Sequence, residues 1–189
     1  MPGMKVPDDI GGALPRVNIE LKARLASFDA ARPIASSLAD RRLPDQHQID
    51  TYFNCRNGRL KLREIVGERA ELIAYDRPDE LACKASHYYL LPVADAEQCK
   101  QALTLTLGLR CVVAKRREIY LHRDVRIHLD RVESLGAFLE FEAVLDEQHG
   151  EAAARELLAV LRQRFAITDD ALLEQSYGEM IEPPAAASR

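Results

Sequence analysis

Hydrophobic and polar positions alternate with a period of two in five separate stretches of this chain. In the first, Asn18, Glu20, Lys22 and Arg24 fall on one side and Ile19, Leu21 and Ala23 on the other. The pattern returns from Arg59 through Lys61 to Arg63, at Lys115 and Arg117, from Arg126 through His128 to Asp130, and at Glu140 and Glu142. Such alternation marks a strand with one buried face. Here the polar faces carry mostly Lys, Arg, Asp and Glu. Two architectures accommodate them: a sheet with one solvated side, or a closed barrel whose interior holds charge.

Turn and cap signals between these stretches predict strands at 17–25, 48–53, 59–66, 72–75, 84–92, 111–121, 124–132 and 137–146. Asn57-Gly58 is a two-residue hairpin signal, Gly67-Glu68 a second turn, and Pro78 closes the strand before it. Helices are predicted at 29–42, with Pro33 near its start, at 95–107 up to Gly108, at 150–165 and, more briefly, at 169–175. Residues 1–15 read as a flexible arm, 16–181 as a single domain, and 182–189 as a loose tail. Strands joined mostly by hairpins predict a β-dominated α+β protein, its antiparallel sheet closed into an eight-stranded barrel with helices packed outside. Closure would turn Ile19, Leu21, Leu60, Leu62, Val112, Ile127, Leu129, Leu139 and Phe141 outward, under the helices, and the charged residues inward.

Composition narrows the function. The 189 residues are 47% hydrophobic and 30% charged, as in an ordinary globular protein. A net charge of −4 argues against a general nucleic-acid partner, so the basic residues on the strands must act locally. No apolar run is long enough to span a membrane. Cys55, Cys83, Cys99 and Cys111 are scattered without metal-ligand spacing, and a reduced, cytoplasmic chain is expected.

Charges inside a barrel cost several kcal/mol per ion unless paired or met by a ligand. Glu140 and Glu142, two residues apart on one strand, project the same way about 7 Å apart. With Glu20 from a neighbouring strand they form a hard-oxygen set suited to Mg²⁺ or Mn²⁺. Lys22, Arg59, Lys61, Arg63, Lys84, Lys115, Arg117 and Arg126 could surround a chain of phosphates, Arg by bidentate and Lys by point-charge contacts. Metal plus basic cage is what phosphoryl transfer requires. Of the five histidines only His128 lies on the inward phase, and Arg24 and Arg116 read as surface charges.

Asn18-x-Glu20-x-Lys22 resembles the E-x-E-x-K signature of the CYTH domain, or triphosphate tunnel metalloenzymes. Further motifs follow in order over residues 16–181: Gln48-x-Asp50-x-Tyr52-Phe53, Gly58 to Arg63, Lys115 with Arg117, Arg126 with Asp130, Gly136, and Phe138 to Glu142. The nearest branch is the class IV adenylate cyclase-like one. The resemblance implies an eight-stranded tunnel that takes a triphosphate at its centre. It implies Glu20, Glu140 and Glu142 as metal ligands, with Asp130 on the metal side of the tunnel. Lys22, Lys61, Arg63, Lys84, Lys115, Arg117 and Arg126 would hold the phosphates. Implied functions are metal-dependent hydrolysis of inorganic or organic triphosphate, cyclisation of ATP to cyclic AMP, or non-catalytic sensing of a triphosphate. Partners would be small molecules, with a homodimer left open. The chain departs from the signature at Asn18, which removes one negative charge from the site.

Overall fold

The computed structural model describes residues 16–76, 84–145 and 150–181. Eight strands close into one antiparallel barrel: β1 (Arg16–Arg24), β2 (Arg41–Phe53), β3 (Arg59–Ile65), β4 (Arg69–Asp76), β5 (Lys84–Val93), β6 (Leu109–His122), β7 (Val125–Val132) and β8 (Gly136–Val144). Around the barrel the order is β1-β5-β4-β3-β2-β6-β7-β8, with β8 returning to β1. The connections that leave the hairpin pattern carry α1 (Phe28–Leu38) and α2 (Ala96–Leu107), and α3 (Glu151–Arg164) and α4 (Tyr177–Ile181) follow the last strand.

The outward apolar face forms the core, as the alternation implies. Ile19, Leu21, Ile127, Leu129, Leu139 and Phe141 pack beneath α1 and α3, which contribute Phe28, Ala31, Ala35, Ala154, Leu158 and Leu161. A second cluster sets Phe53, Leu62 and Ala70 against Leu60, Cys99 and Leu103. Val112 points outward too, but is 45% exposed, without a covering helix.

Two boundaries move from the predicted ones. α1 starts at its Ser27 cap, whose hydroxyl accepts from the Ala30 amide at 3.2 Å, but it stops at Leu38, short of residue 42. The Asp40 amide instead donates to the Leu121 carbonyl, and Arg41 pairs with Leu121, so sheet pairing takes these residues from the helix. β2 is correspondingly longer than 48–53, and its register shifts between Leu43 and Gln46, around Pro44. A bulge is where a strand tolerates a residue with no N–H to donate. The β2–β3 hairpin turns through residues 54–58, a longer loop than a two-residue one, and Gly58 takes the left-handed φ of +64°.

The chain end differs most. In place of a helix at 169–175 there is a single 3-10 turn at Asp169–Ala171. Leu172 then bridges to Ala23, and the Leu173 amide donates to the Lys22 carbonyl at 2.9 Å. This return along β1 delivers α4 across one end of the barrel. There Tyr177 packs with Tyr52, Cys111, Val113, Val132 and Phe138. The expectations for residues 1–15, for Pro78 and for 182–189 lie outside the described residues. Among those described, no helix is long and apolar enough to cross a membrane.

Candidate active site in the barrel lumen

Inward-facing side chains surround a cavity of about 410 Å³ whose lining includes Lys22, Lys61, Arg63, Lys115 and Arg117. Glu20, Glu140, Glu142, Arg126 and His128 line it as well. Three strands supply the five cations: β1 (Lys22), β3 (Lys61 and Arg63) and β6 (Lys115 and Arg117), while the acids stand on β1 and β8.

These charges are balanced. Asp50 on β2 is completely buried and binds three cations from two neighbouring strands. Arg63 donates from Nε and Nη2 to its two oxygens at 2.7 and 2.8 Å, Lys115 Nζ at 3.0 Å and Lys61 Nζ at 3.3 Å. Burial alone would raise its pKa. The attraction of Arg63, Lys115 and Lys61 outweighs that and holds the carboxyl well below its usual range. Arg117 makes a second knot, donating to Asp130 from Nε at 2.7 Å and to Glu140 Oε2 from Nη2 at 2.9 Å. Lys22 Nζ lies 3.9 Å from the same Glu140 oxygen. Burial opposes ionisation of Glu140 too, but Lys22 and Arg117 keep its pKa well below normal.

The lysines respond in the opposite direction. Burial, then the nearby Arg63, lower Lys61 to about 8 against the pull of Asp50. Burial, Arg63 and Arg117 likewise lower Lys115 to about 7, with Asp50 and Asp130 opposing. His128 is buried and held well below its ordinary pKa by desolvation and by Arg117, so it is neutral.

The acid corner follows from strand register. Glu20 on β1 lies directly opposite Glu142 on β8, and Lys22 opposite Glu140. Glu142 is held from both sides: Asn18 Nδ2 donates to Oε1 at 2.6 Å and Arg126 Nη1 to Oε2 at 3.2 Å. The amide must turn its nitrogen to the carboxylate, which leaves the buried Asn18 Oδ1 without a partner. Among the described residues no three His, Cys, Asp or Glu side chains are gathered closely enough to grip an ion in this arrangement. The donor set nonetheless suits a hard cation: three carboxylates on adjacent strands and an unpartnered amide oxygen beside them.

The lumen brings together Glu20, Lys22, Lys61, Arg63, Lys115, Arg117, Arg126, Glu140 and Glu142, with Asp130 behind Arg117. Arg59 stands apart, since its Nη2 donates to Glu179 of α4 at 2.8 Å. The Lys84 backbone pairs with Glu20, while its side chain lies outside what is described. Asp50 appears in the sequence only as part of the Gln48-x-Asp50-x-Tyr52-Phe53 motif, with no role assigned, although its phase on β2 sets it opposite Arg63 on β3. The sequence reading passed over Tyr177, whose hydroxyl donates to Asp130 Oδ2 at 2.9 Å and whose ring centre lies 4.3 Å from Lys22 Nζ.

A barrel with a charged lumen walled by acids and bases defines the class, and the comparisons name it. The CYTH domain model matches residues 16–172, and the chain belongs to that family. A Methanocaldococcus jannaschii protein provisionally named an adenylate cyclase is 26% identical over 176 residues, covering 87% of this chain and 98% of its own. The solved structure of a Pyrococcus horikoshii protein superposes with a TM-score of 0.78 at 23% identity, over 87% of this chain and 99% of that one. A Hippeastrum protein, first taken for an adenylyl cyclase and described as having a dominant triphosphatase activity, shares the fold with a TM-score of 0.56 at 17% identity, over 80% of this chain and 88% of its own.

Proposed function

We propose that this protein is a divalent-metal-dependent enzyme that hydrolyses a triphosphate-containing substrate held inside the barrel. The observation that carries the reading is the convergence of Lys22, Lys61, Arg63, Lys115 and Arg117 on one cavity with an acid corner at its side. The cations bind and align the phosphate chain and neutralise charge as the transferred phosphoryl group separates, which is most of what such catalysis needs. Arg63 and Arg117 give planar, bidentate contacts, while Lys61 and Lys115 gain full charge as the polyanion approaches. Arg126, and Lys84 from the strand beside β1, would extend the cage, and Arg59 would act through α4. Glu20, Glu140 and Glu142 would hold Mg²⁺ or Mn²⁺, which supplies Lewis-acid polarisation of the phosphate oxygens.

A second reading, cyclisation of ATP, has support in the name of the Methanocaldococcus relative. One experiment separates the two: phosphate release and cyclic AMP formation measured together on one sample, with and without EDTA. Metal-dependent phosphate release without cyclic AMP supports the hydrolase. Cyclic AMP with pyrophosphate supports the cyclase, and full turnover in EDTA overturns the metal-dependent site.

A further inference from the structure

One aromatic side chain forms the floor of the lumen. Tyr177 stands on α4, outside the eight strands and beyond residue 172, where the family match ends. Its ring is buried among Tyr52, Cys111, Val113, Val132 and Phe138. The seat is close: a Cβ at Gly178 would lie 3.2 Å from Cys111 Sγ and 3.4 Å from the Tyr52 ring. From there Tyr177 reaches three of the five lumen cations. Its ring centre lies 4.3 Å from Lys22 Nζ and 5.4 Å from Lys115 Nζ, both within the range of a cation–π attraction. Its hydroxyl donates to Asp130 Oδ2 at 2.9 Å, and the other oxygen of Asp130 accepts from Arg117 Nε at 2.7 Å.

Lys22 differs from the other lumen cations in what holds it. Arg63, Lys61 and Lys115 donate to Asp50, and Arg117 to Asp130. Among the described residues the Lys22 ammonium makes no hydrogen bond, since Glu140 Oε2 at 3.9 Å is out of reach. An ammonium has three donors, and a carboxylate takes them up while cancelling the charge. An aromatic face attracts the same charge through its quadrupole and leaves the N–H groups to point elsewhere. An aliphatic floor would desolvate the lysine without compensation. Only the aromatic floor keeps a buried lysine charged, fixed in place and able to donate.

We propose that Tyr177 is a positioning residue of the phosphate cage. Its ring holds Lys22, and more loosely Lys115, from the α4 side while their N–H groups face the ligand, and its hydroxyl sets Arg117 through Asp130. This rests on the reading that the cage takes a triphosphate, and it adds that α4 supplies part of the site. The ring stays against the lysines in the complex, so its attraction persists when ligand is bound.

The test replaces Tyr177 by Phe, and then by Phe carrying one, two or three ring fluorines, which weaken the ring face stepwise at nearly constant size. Inorganic triphosphate is titrated calorimetrically in EDTA, and amide exchange over α4 reports whether the helix stays seated. Affinity should fall with each fluorine, by about fivefold or more over the series, with exchange unchanged. Tyr177→Leu, which keeps apolar bulk without an aromatic face, should bind at least as weakly as the trifluorinated protein. Affinity that is flat or rises across the fluorinated series makes the ring packing alone and overturns the proposal. Loss of affinity that tracks faster exchange assigns the effect to an unseated helix and overturns it too. A parent protein that does not bind inorganic triphosphate removes the triphosphate reading itself.

Discussion

At the residue scale, Asp50 decides whether the lumen can exist empty. A cluster of inward lysines and arginines would repel itself, but each is met by a carboxylate, and Asp50 alone engages three cations. Removing one member of such a buried set exposes the others to an uncompensated charge, at a cost of about 3–5 kcal/mol. Asp50→Asn should therefore lower the urea midpoint strongly, and inorganic triphosphate should restore more stability to this variant than to the parent protein. Equal rescue in both would show that phosphate does not take over the contacts of Asp50. The lysines carry a second prediction. Lys61 at about 8 and Lys115 at about 7 hold fewer protons in the folded protein than in the unfolded chain, where the value is 10.5. The unfolded chain thus binds more protons from about pH 7 up to 10.5, so these groups make folding more favourable as pH rises through that window and least favourable below it. A polyanion reverses the penalty and raises both pKa values. Triphosphate binding at pH 8 should take up protons, read as a dependence of the calorimetric enthalpy on the buffer's ionisation heat, and the uptake should fade by pH 6. Buffer-independent enthalpies at pH 8 would count against these lysines as phosphate ligands. Asp50 was hard to find from sequence because one carboxylate in a polar strand is commonplace. Its meaning depends on the partners that closure of the barrel brings to it.

At the scale of elements, strands were legible where alternation was strong, and boundaries failed where long-range pairing competed with local preference. Residues 39–42 carry no helix-breaking residue, yet the unpaired edge of β6 draws Arg41 into a ladder with Leu121. α4 escaped notice because five residues give no periodicity to read. Its stability comes from what it touches: Glu179 caps the turn by accepting from the Ser176 amide at 2.7 Å and binds Arg59 at 2.8 Å. Tyr177 packs against Phe138 in a tilted arrangement with ring centres 5.0 Å apart. Tyr177→Phe keeps the ring but strips a donor from buried Asp130, which should cost about 1–3 kcal/mol in chemical denaturation. Glu179→Gln should leave global stability closer to the parent's while speeding amide exchange across residues 177–181. A variant with unchanged exchange there would show that packing of Tyr177, and not the Arg59 pair, keeps the end closed.

At the scale of the whole molecule, the barrel inverts the usual order: the apolar core lies between sheet and helices, and the lumen is polar. The alternation alone left a solvated sheet and a closed barrel both open, and it was the order of motifs along the chain, with its family resemblance, that pointed to the inversion. What it left open was how far the opposite charges cancel, since pairing depends on side chains converging across strands. The inversion has a mechanical consequence. Leu129 and Phe141 are fully buried under the helices, so truncating either to Ala should cost about 2–5 kcal/mol whatever the ligand. Lumen changes should behave differently, because there the ligand is part of the packing. Binding to the folded state alone stabilises by about 2.7 kcal/mol at a hundredfold excess over Kd. On the proposed reading each phosphate added to the ligand would meet further cations lining the cavity, among them Arg117 and Lys61, so Kd should fall steeply from monophosphate to triphosphate. Thermal shifts at one fixed concentration should therefore rise in the order monophosphate, pyrophosphate, triphosphate. In Leu129→Ala the whole series should drop by a constant amount with its spacing kept. In Arg117→Ala the spacing itself should shrink, most at triphosphate. Equal shifts for all three anions in the parent protein would mean a site shaped for one phosphate, and the lumen would lose its claim to a phosphate chain.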